Sequence, residues 1–386
     1  FFWAGDEIIR HNPAGRPLFD PLIAVPFVIG VGWCVAHWRQ SAAMGVLVWT
    51  AVMLGPTILA EDAPHFLRAV GILPATLIFP AIGLSWLLSS PTLEGSWRKA
   101  GLTTLILVAS LGFTIHDYFS VYAQDEDTAY LFEAAARQLA DSLKSEQNPS
   151  TVVWDRDRYW SNWPSIRFLW DLEGVPYSYD NFAAETEEIG VAPSVWYLWP
   201  YERERLAFVV QQIEAPAVIS AEVGPLARGD LEPEAYPFYV RYEVSERMGL
   251  KLEESIRFNN QYELHVPADV TVDTESQTVM VDLYWSSALA AENRPPVTVF
   301  VHVLDTESGI LSGQSDTIPA QGYLPSEWWS ADVIVHDRHE IVLTAPFNPD
   351  RHHILVGLYP VGQPNQRLPI VDDAGQPARD SWRVTP

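Results

Sequence analysis

Apolar positions fall into two regimes along the chain. Over residues 1–123 they come in long runs, at 21–38, 41–60, 69–88 and 101–118. Each run is close to the ~20 residues that cross a bilayer as a helix. None carries Lys, Arg or Glu in its central part. Pro26, Pro56, Pro74 and Pro80 would break a soluble helix, but spanning helices tolerate proline because neighbours re-satisfy the freed backbone groups. Trp33, Trp38, Trp86 and Tyr118 fall near run ends, where aromatic belts form. The pattern predicts a helical transmembrane bundle of about four spans over residues 1–123.

From residue 124 the runs shorten and become periodic. Gln124-Asp125-Glu126-Asp127 opens a helix whose first-turn acids suit the dipole. Phe132, Ala136, Leu139 and Leu143 then repeat at helical spacing. Short apolar runs at 151–154, 217–221 and 238–242 read as strands, and 165–172 and 203–213 as helices. This alternation predicts a small α/β domain over 124–250. Further on the pattern is strands alone, at 278–285, 297–304, 333–343 and 353–359, with Pro, Gly, Asn and Asp at the joins. It predicts an antiparallel β-sandwich over 251–386. The expected fold is thus a multi-domain membrane protein with two domains following its spans.

Charge follows the same division. The chain carries a formal net charge of −25, and 42 of its 49 acidic residues lie beyond residue 123 against 18 basic ones. An acidic region of this kind disfavours nucleic acid and anionic lipid surfaces, which both call for basic patches. The single cysteine, Cys34, sits inside an apolar run, so core packing and not a disulfide must hold the chain together. The start, Phe1-Phe2-Trp3, has no basic n-region or small-residue cleavage site; it reads as a cut or processed end, or as part of a longer chain.

Basic residues flanking the runs tie, with Arg39, Arg98 and Lys99 on one side and Arg10, Arg16 and Arg68 on the other. The second group shares its side with Asp6, Glu7, His11, Asp20, Glu61, Asp62 and His65. A mixed cluster of this kind reads as a site, which places that face, and the acidic region after the last span, outside the cytoplasm. Arg and His at a bilayer surface suit a phosphorylated lipid, with carboxylates orienting the guanidinium groups. The alternative is loops whose charges merely reach water. Asp62 and His65, three apart, are a weak signal for a metal, and no metal site is assigned. Trp285, Tyr323, Trp328 and Trp329 could stack on sugar rings, or could be core. The ring-rich block from Trp154 to Trp163 reads as a seam between membrane and soluble parts. Asp305, Asp316 and Asp337 could hold calcium, which wants several oxygen ligands, but they lie far apart in sequence and read first as turn and surface acids.

Two stretches bear a family likeness. They are Gly5-Asp6 through Arg10-His11-Asn12 to Gly15-Arg16-Pro17-Leu18-Phe19-Asp20, and Ala63-Pro64-His65-Phe66-Leu67-Arg68-Ala69-Val70-Gly71. They resemble the late membrane region of bacterial GT-C glycosyltransferases, similar to dolichyl-phosphate-mannose protein mannosyltransferases and aminoarabinose transferases. The likeness continues through Asp117-Tyr118-Phe119, Ile166-Arg167-Phe168-Leu169, Val299–Asp305, Gln314-Ser315-Asp316 and Val356-Gly357-Leu358-Tyr359. It implies a multi-pass plasma-membrane enzyme that transfers a sugar from a polyprenyl-phosphate carrier to an extracytoplasmic protein or glycan acceptor. Arg10, His11, His65 and Arg68 would hold the lipid phosphate, and Glu61 and Asp62 would orient them or the acceptor. Beyond that donor substrate no cofactor is implied. Such enzymes carry their catalytic acid in the first external loop, expected upstream of Phe1. The alternative is a non-catalytic, membrane-anchored subunit of a larger complex.

Overall fold

The computed structural model describes residues 2–61, 63, 65–89, 95–146, 152–169, 192–229, 232–247, 254–287, 294–330, 332–372 and 374–384. The chain divides into two compact units, residues 1–134 with 228–232, and residues 135–227 with 233–386.

The first unit is helical. The apolar runs become α1 (Pro21–Ala36), α2 (Ser41–Ile58), α3 (Leu73–Leu88) and α4 (Ser96–His116), followed by the short α5 (Glu126–Leu131). Three helical stretches, at 41–58, 67–88 and 96–124, are long and apolar enough to cross a membrane; α1 is apolar but has 16 residues. Asp20 caps α1, accepting the Leu22 and Ile23 N–H groups at 2.8 and 3.3 Å. A 3₁₀ turn over Leu67–Ile72 leads into α3, because Pro74 at the second helical position cannot extend the hydrogen-bond ladder backwards. α1 and α3 cross at backbone contact. A Cβ on Gly30 would lie 1.8 Å from the Phe79 carbonyl oxygen, and one on Gly83 1.8 Å from that of Pro26. Small residues at a crossing permit the close approach that packs apolar helices. Many of the unit's apolar side chains, such as Val52, Leu77, Leu105 and Val108, remain exposed.

The second unit is mostly strand. It begins with α6 (Ala134–Ser145). Then come β1 (Val152–Trp154), α7 (Arg156–Asn162), α8 (Pro164–Leu169), β2 (Ser194–Leu198), α9 (Arg203–Gln211), β3 (Ala217–Val223), β4 (Leu226–Ala227), β5 (Tyr236–Pro237), β6 (Val240–Glu246), β7 (Glu254–Phe258), β8 (Tyr262–Asp273), β9 (Thr278–Ser287), β10 (Val297–Asp305), β11 (Leu311–Thr317), β12 (Val333–Val342), β13 (His352–Pro360), β14 (Ile370–Val371), β15 (Pro377–Arg379) and β16 (Trp382–Val384). The helix expected from residue 124 is broken: Glu133 has φ 55 between α5 and α6. Ala136, Leu139 and Leu143 are buried as expected, whereas Phe132 is 57% exposed.

The strands form a ten-stranded sheet in the order β1-β2-β6-β3-β12-β9-β8-β7-β14-β15 and a four-stranded sheet in the order β11-β10-β13-β16. β3 and β12 pair in parallel, Val333 opposite Ala217 through His336 opposite Ser220. That pairing joins the strands of residues 152–246 to those after 254, so one sheet runs through the boundary expected at 250. Inward residues of both sheets share one core, including Ile219, Val240, Val281, Trp285, Val301, Val335 and Val356, each at most 1% exposed. β9 alternates strictly, with Val279, Val281, Leu283 and Trp285 inward, the period-two signature of a strand with one covered face.

Candidate functional site in the helical unit

The loop before α1 is folded on itself by four backbone hydrogen bonds: Gly5 N–H to Gly15 O, Gly15 N–H to Asp6 O, His11 N–H to Ile8 O and Arg16 N–H to Pro13 O. Gly5 must be glycine, since a Cβ would sit 2.0 Å from the Arg16 carbonyl oxygen. The end of α4 ties this loop down. Arg16 Nε donates to Asp117 Oδ2 at 2.7 Å and its guanidinium lies 5.2 Å from the centre of the Tyr118 ring. Tyr118 donates to Asn12 Oδ1 at 2.5 Å, Tyr122 donates to the Ile9 carbonyl at 2.5 Å, and Ser110 donates to Asp20.

The loop after α2 meets it. The His65 N–H donates to Thr57 Oγ1 at 2.8 Å, and the Thr57 hydroxyl donates to the His65 carbonyl at 3.1 Å. The Phe66 N–H donates to Asp6 Oδ2 at 2.9 Å. The same carboxylate oxygen lies 2.8 Å from His11 Nδ1. The His11 and His65 rings stand 4.8 Å apart, tilted by 46°.

Against this scaffold lies a cavity of about 710 Å³, walled by α1, α3, α4 and the two loops. One part of its wall is polar, with His11, Asn12, Arg16 and Asp20; the rest is apolar, with Leu77, Pro80, Ala81, Leu84 and Leu107. Such a lining suits a ligand with a polar head and a hydrocarbon body.

Of the four residues expected at a lipid phosphate, the structure brings His11 and His65 together beside Asp6. Arg10 and Arg68 are exposed and do not line the cavity. The cation that does line it is Arg16, a member of the basic group on that face but not of the expected phosphate set. Glu61 is exposed, and Asp62 lies outside the described residues. Sequence reading missed the roles of Asp6, Asn12, Ser110, Thr114 and Asp117. The Gly5-Asp6 and Asp117-Tyr118 motifs were the available signal; which partner each side chain takes depends on helix packing.

Of the two readings of Trp285, Tyr323, Trp328 and Trp329, sugar stacking or core, the burial of the tryptophans fits core. Trp285 and Trp329 are at most 1% exposed and Trp328 8%. The Trp329 indole N–H donates to the Leu324 carbonyl at 2.8 Å, and Arg203 stacks on Trp328 at 4.4 Å and on Tyr323 at 5.6 Å. Trp285 points inward from β9, and Trp328 and Trp329 pack inward at the end of the short 3₁₀ turn Ser326–Trp328; large rings bury much area, and here the core takes them. Trp154 and Tyr159 likewise sit in a core of this unit with Phe238. Asp305 pairs with Arg351, Asp316 with His302, and Asp337 with His339. They are not gathered; among the described residues the group with metal-ligating spacing is Asp6, His11 and His65.

No family model matches the chain, and no curated protein does. Two solved structures of a glycosyl hydrolase family 2 member from Bacteroides cellulosilyticus are similar to part of it, at 8% and 9% identity over 39% of this chain, with TM-scores of 0.19 and 0.18. The chain spans 17% and 16% of the length of those proteins. A likeness this slight carries no argument about fold or activity.

Proposed function

We propose that this chain is the carrier-binding part of a GT-C-type membrane glycosyltransferase, which takes a sugar from a polyprenyl phosphate on the external face and transfers it to an extracytoplasmic acceptor. The observation that carries the reading is the cavity, whose polar part holds a guanidinium and whose remaining wall is hydrocarbon. A phosphate at the polar part would meet Arg16, whose fork geometry suits phosphate oxygens. Asp117 holds the guanidinium in place. The prenyl body would run along Leu77, Ala81, Leu84 and Leu107. Charge developing on the phosphate as the glycosidic bond breaks would be stabilised by a donor fixed before the reaction begins. On this reading α1 is a fourth span: 16 residues give about 24 Å of helix, near the lower limit for crossing. The chain is then multi-pass in the plasma membrane, and the two sheets form an external sandwich.

One observation favours the alternative, a membrane-anchored accessory subunit: Arg16 is already paired with Asp117 and Tyr118, so the polar part is consistent with a purely structural strap. Native mass spectrometry of the protein with a polyprenyl phosphate and with the matching polyprenol separates the two. The transferase reading expects the phosphate to bind at least about 10-fold tighter, and Arg16→Ala to remove that preference, the loss of a charge-assisted pair. Equal binding of phosphate and alcohol would sink it.

A further inference from the structure

Asp6, His11 and His65 form a cluster beside the cavity; His11 also lines its polar wall, where the proposed phosphate contact is Arg16. One carboxylate oxygen and one ring nitrogen from each histidine lie within 4.8 Å of one another. The cluster is enclosed: the side chains of Asp6 and His11 are 1% and 8% exposed, and His65 is half-buried. Its backbone is fixed from both sides, by the four bonds inside the first loop and by the Thr57 clamp on the second.

The Asp6 carboxylate is half accounted for. Oδ2 takes the Phe66 N–H and the His11 contact. Oδ1 is buried with no hydrogen-bond partner. Leaving a buried acceptor without a donor is costly, and more so when it is charged. The neighbouring arginines do not fill the gap. Arg16 is drawn to Asp117 and Thr114, and Arg10 and Arg68 are exposed. A buried carboxylate with one oxygen unpartnered, beside two imidazoles that each have a ring nitrogen within 4.8 Å of the carboxylate, is the environment a cation would complete.

We propose that Asp6, His11 and His65 bind one divalent transition-metal ion with the ligand preferences of zinc. Two imidazoles and one carboxylate are a borderline nitrogen–oxygen set, suited to zinc and its first-row neighbours. Calcium and magnesium prefer oxygen throughout. Three protein ligands leave a fourth position for water or a substrate oxygen. Zinc bonds of about 2.0–2.2 Å place tetrahedral ligand atoms about 3.3 Å apart, so the group closes on a metal by modest side-chain rotation over a backbone already set. The competing reading is an Asp–His hydrogen bond with a second imidazole packed against it. The assignment does not rest on the lipid proposal, because the three ligands are complete without a lipid.

The test is metal binding by the full chain, purified in detergent and stripped with a chelator. Zinc is titrated by calorimetry, and cobalt(II) serves as an optical probe of ligand geometry. The expected result is one equivalent of zinc per chain and a visible tetrahedral cobalt spectrum. Asp6→Asn, His11→Gln and His65→Gln should each lose about 100-fold in affinity, as removal of a ligand should cost at least the upper end of what removal of its support costs. Asp6 also holds the Phe66 N–H, so its variant could fail by unfolding; His65→Gln, whose loop is held by backbone contacts to Thr57, is the deciding one. Unreactive Cys34, 0% exposed, certifies that a variant is folded. No stoichiometric uptake by the wild-type protein overturns the proposal, and so does wild-type affinity in folded His65→Gln.

Discussion

Asp155 shows how much of this chain rests on single buried charges. It is 3% exposed, accepts the Trp199 N–H at 2.7 Å through Oδ2, and pairs with Arg205 at 2.5 Å through Oδ1. Burial raises its pKa; Arg205 and the Trp199 N–H oppose that without cancelling it. Asp155→Ala takes the acceptor from the Trp199 N–H and one of two carboxylates from Arg205, which still pairs with Glu202, and should cost about 1–3 kcal/mol in urea unfolding, whereas Asp155→Asn, which keeps an acceptor for Trp199, should cost less. His265 gives a pH test. It is 9% exposed and bonds Ser286 at 2.8 Å, and burial lowers its pKa below 6.5. A histidine depressed in the fold contributes no penalty while neutral in both states. As pH falls below ~6.5 the unfolded chain takes the proton first, so stability falls through that window until the folded pKa is passed. Wild type should lose stability on acidification from pH 7 to 5 and His265→Gln should lose less; parallel curves would refute the assignment. At this scale the sequence showed which residues could carry charge or rings. It left open whether Trp285 stacks on a ligand or points inward, because strand parity relative to a core is decided by pairing.

Among elements, the α1–α3 crossing is the most constrained. Gly30 and Gly83 each face a backbone carbonyl at 1.8 Å from an added Cβ, and backbone cannot yield as a side-chain tip can. Gly30→Val and Gly83→Val should each force the helices apart and destabilise the helical unit by about 3 kcal/mol. Cys34 lies on α1, fully buried, and is the chain's one cysteine. Its labelling by a thiol-reactive dye on heating therefore reports the opening of this unit. Glycine variants should label at lower temperature, and Gly32→Ala, whose Cβ meets nothing within 4 Å, should match wild type. Elements were the most legible level. The expected strands at 278–285, 297–304 and 353–359 lie within β9, β10 and β13, and that at 333–343 overruns β12 by one residue. Strand β8 was legible but went unread: Tyr262, Leu264, Val266, Ala268, Val270 and Val272 alternate with polar positions such as Glu263 and Asp269, and Pro267 in its middle argues against a strand; β7 offers just Ile256 and Phe258 as apolar positions.

For the whole molecule, the decisive fact is the parallel pairing of β3 with β12. Local patterns change near residue 250, from helices mixed with strands to strands alone, and that change suggests two domains. Pairing across 116 residues of sequence, as between Ala217 and Val333, leaves no local trace, so sheet continuity was not legible. It has a thermodynamic consequence. β3 has Ala217, Val218 and Ile219 buried, and β12 has Val333, Ile334 and Val335 buried; separating the two strands would expose both sets together with a row of unpaired backbone groups. Residues 135–386 should therefore unfold in urea as one cooperative transition, with fluorescence of the buried tryptophans and far-ultraviolet dichroism coincident. A fragment ending at residue 250 should not fold, since β3 would become an apolar edge. Ser220→Pro, which removes a backbone donor in β3 opposite His336, takes a hydrogen bond from the middle of the sheet, should lower stability by about 1–3 kcal/mol, and should leave the single transition intact. Two separated transitions in the wild-type unit, or a folded fragment ending at 250, would mean that the sheet is only a docking of two independent domains.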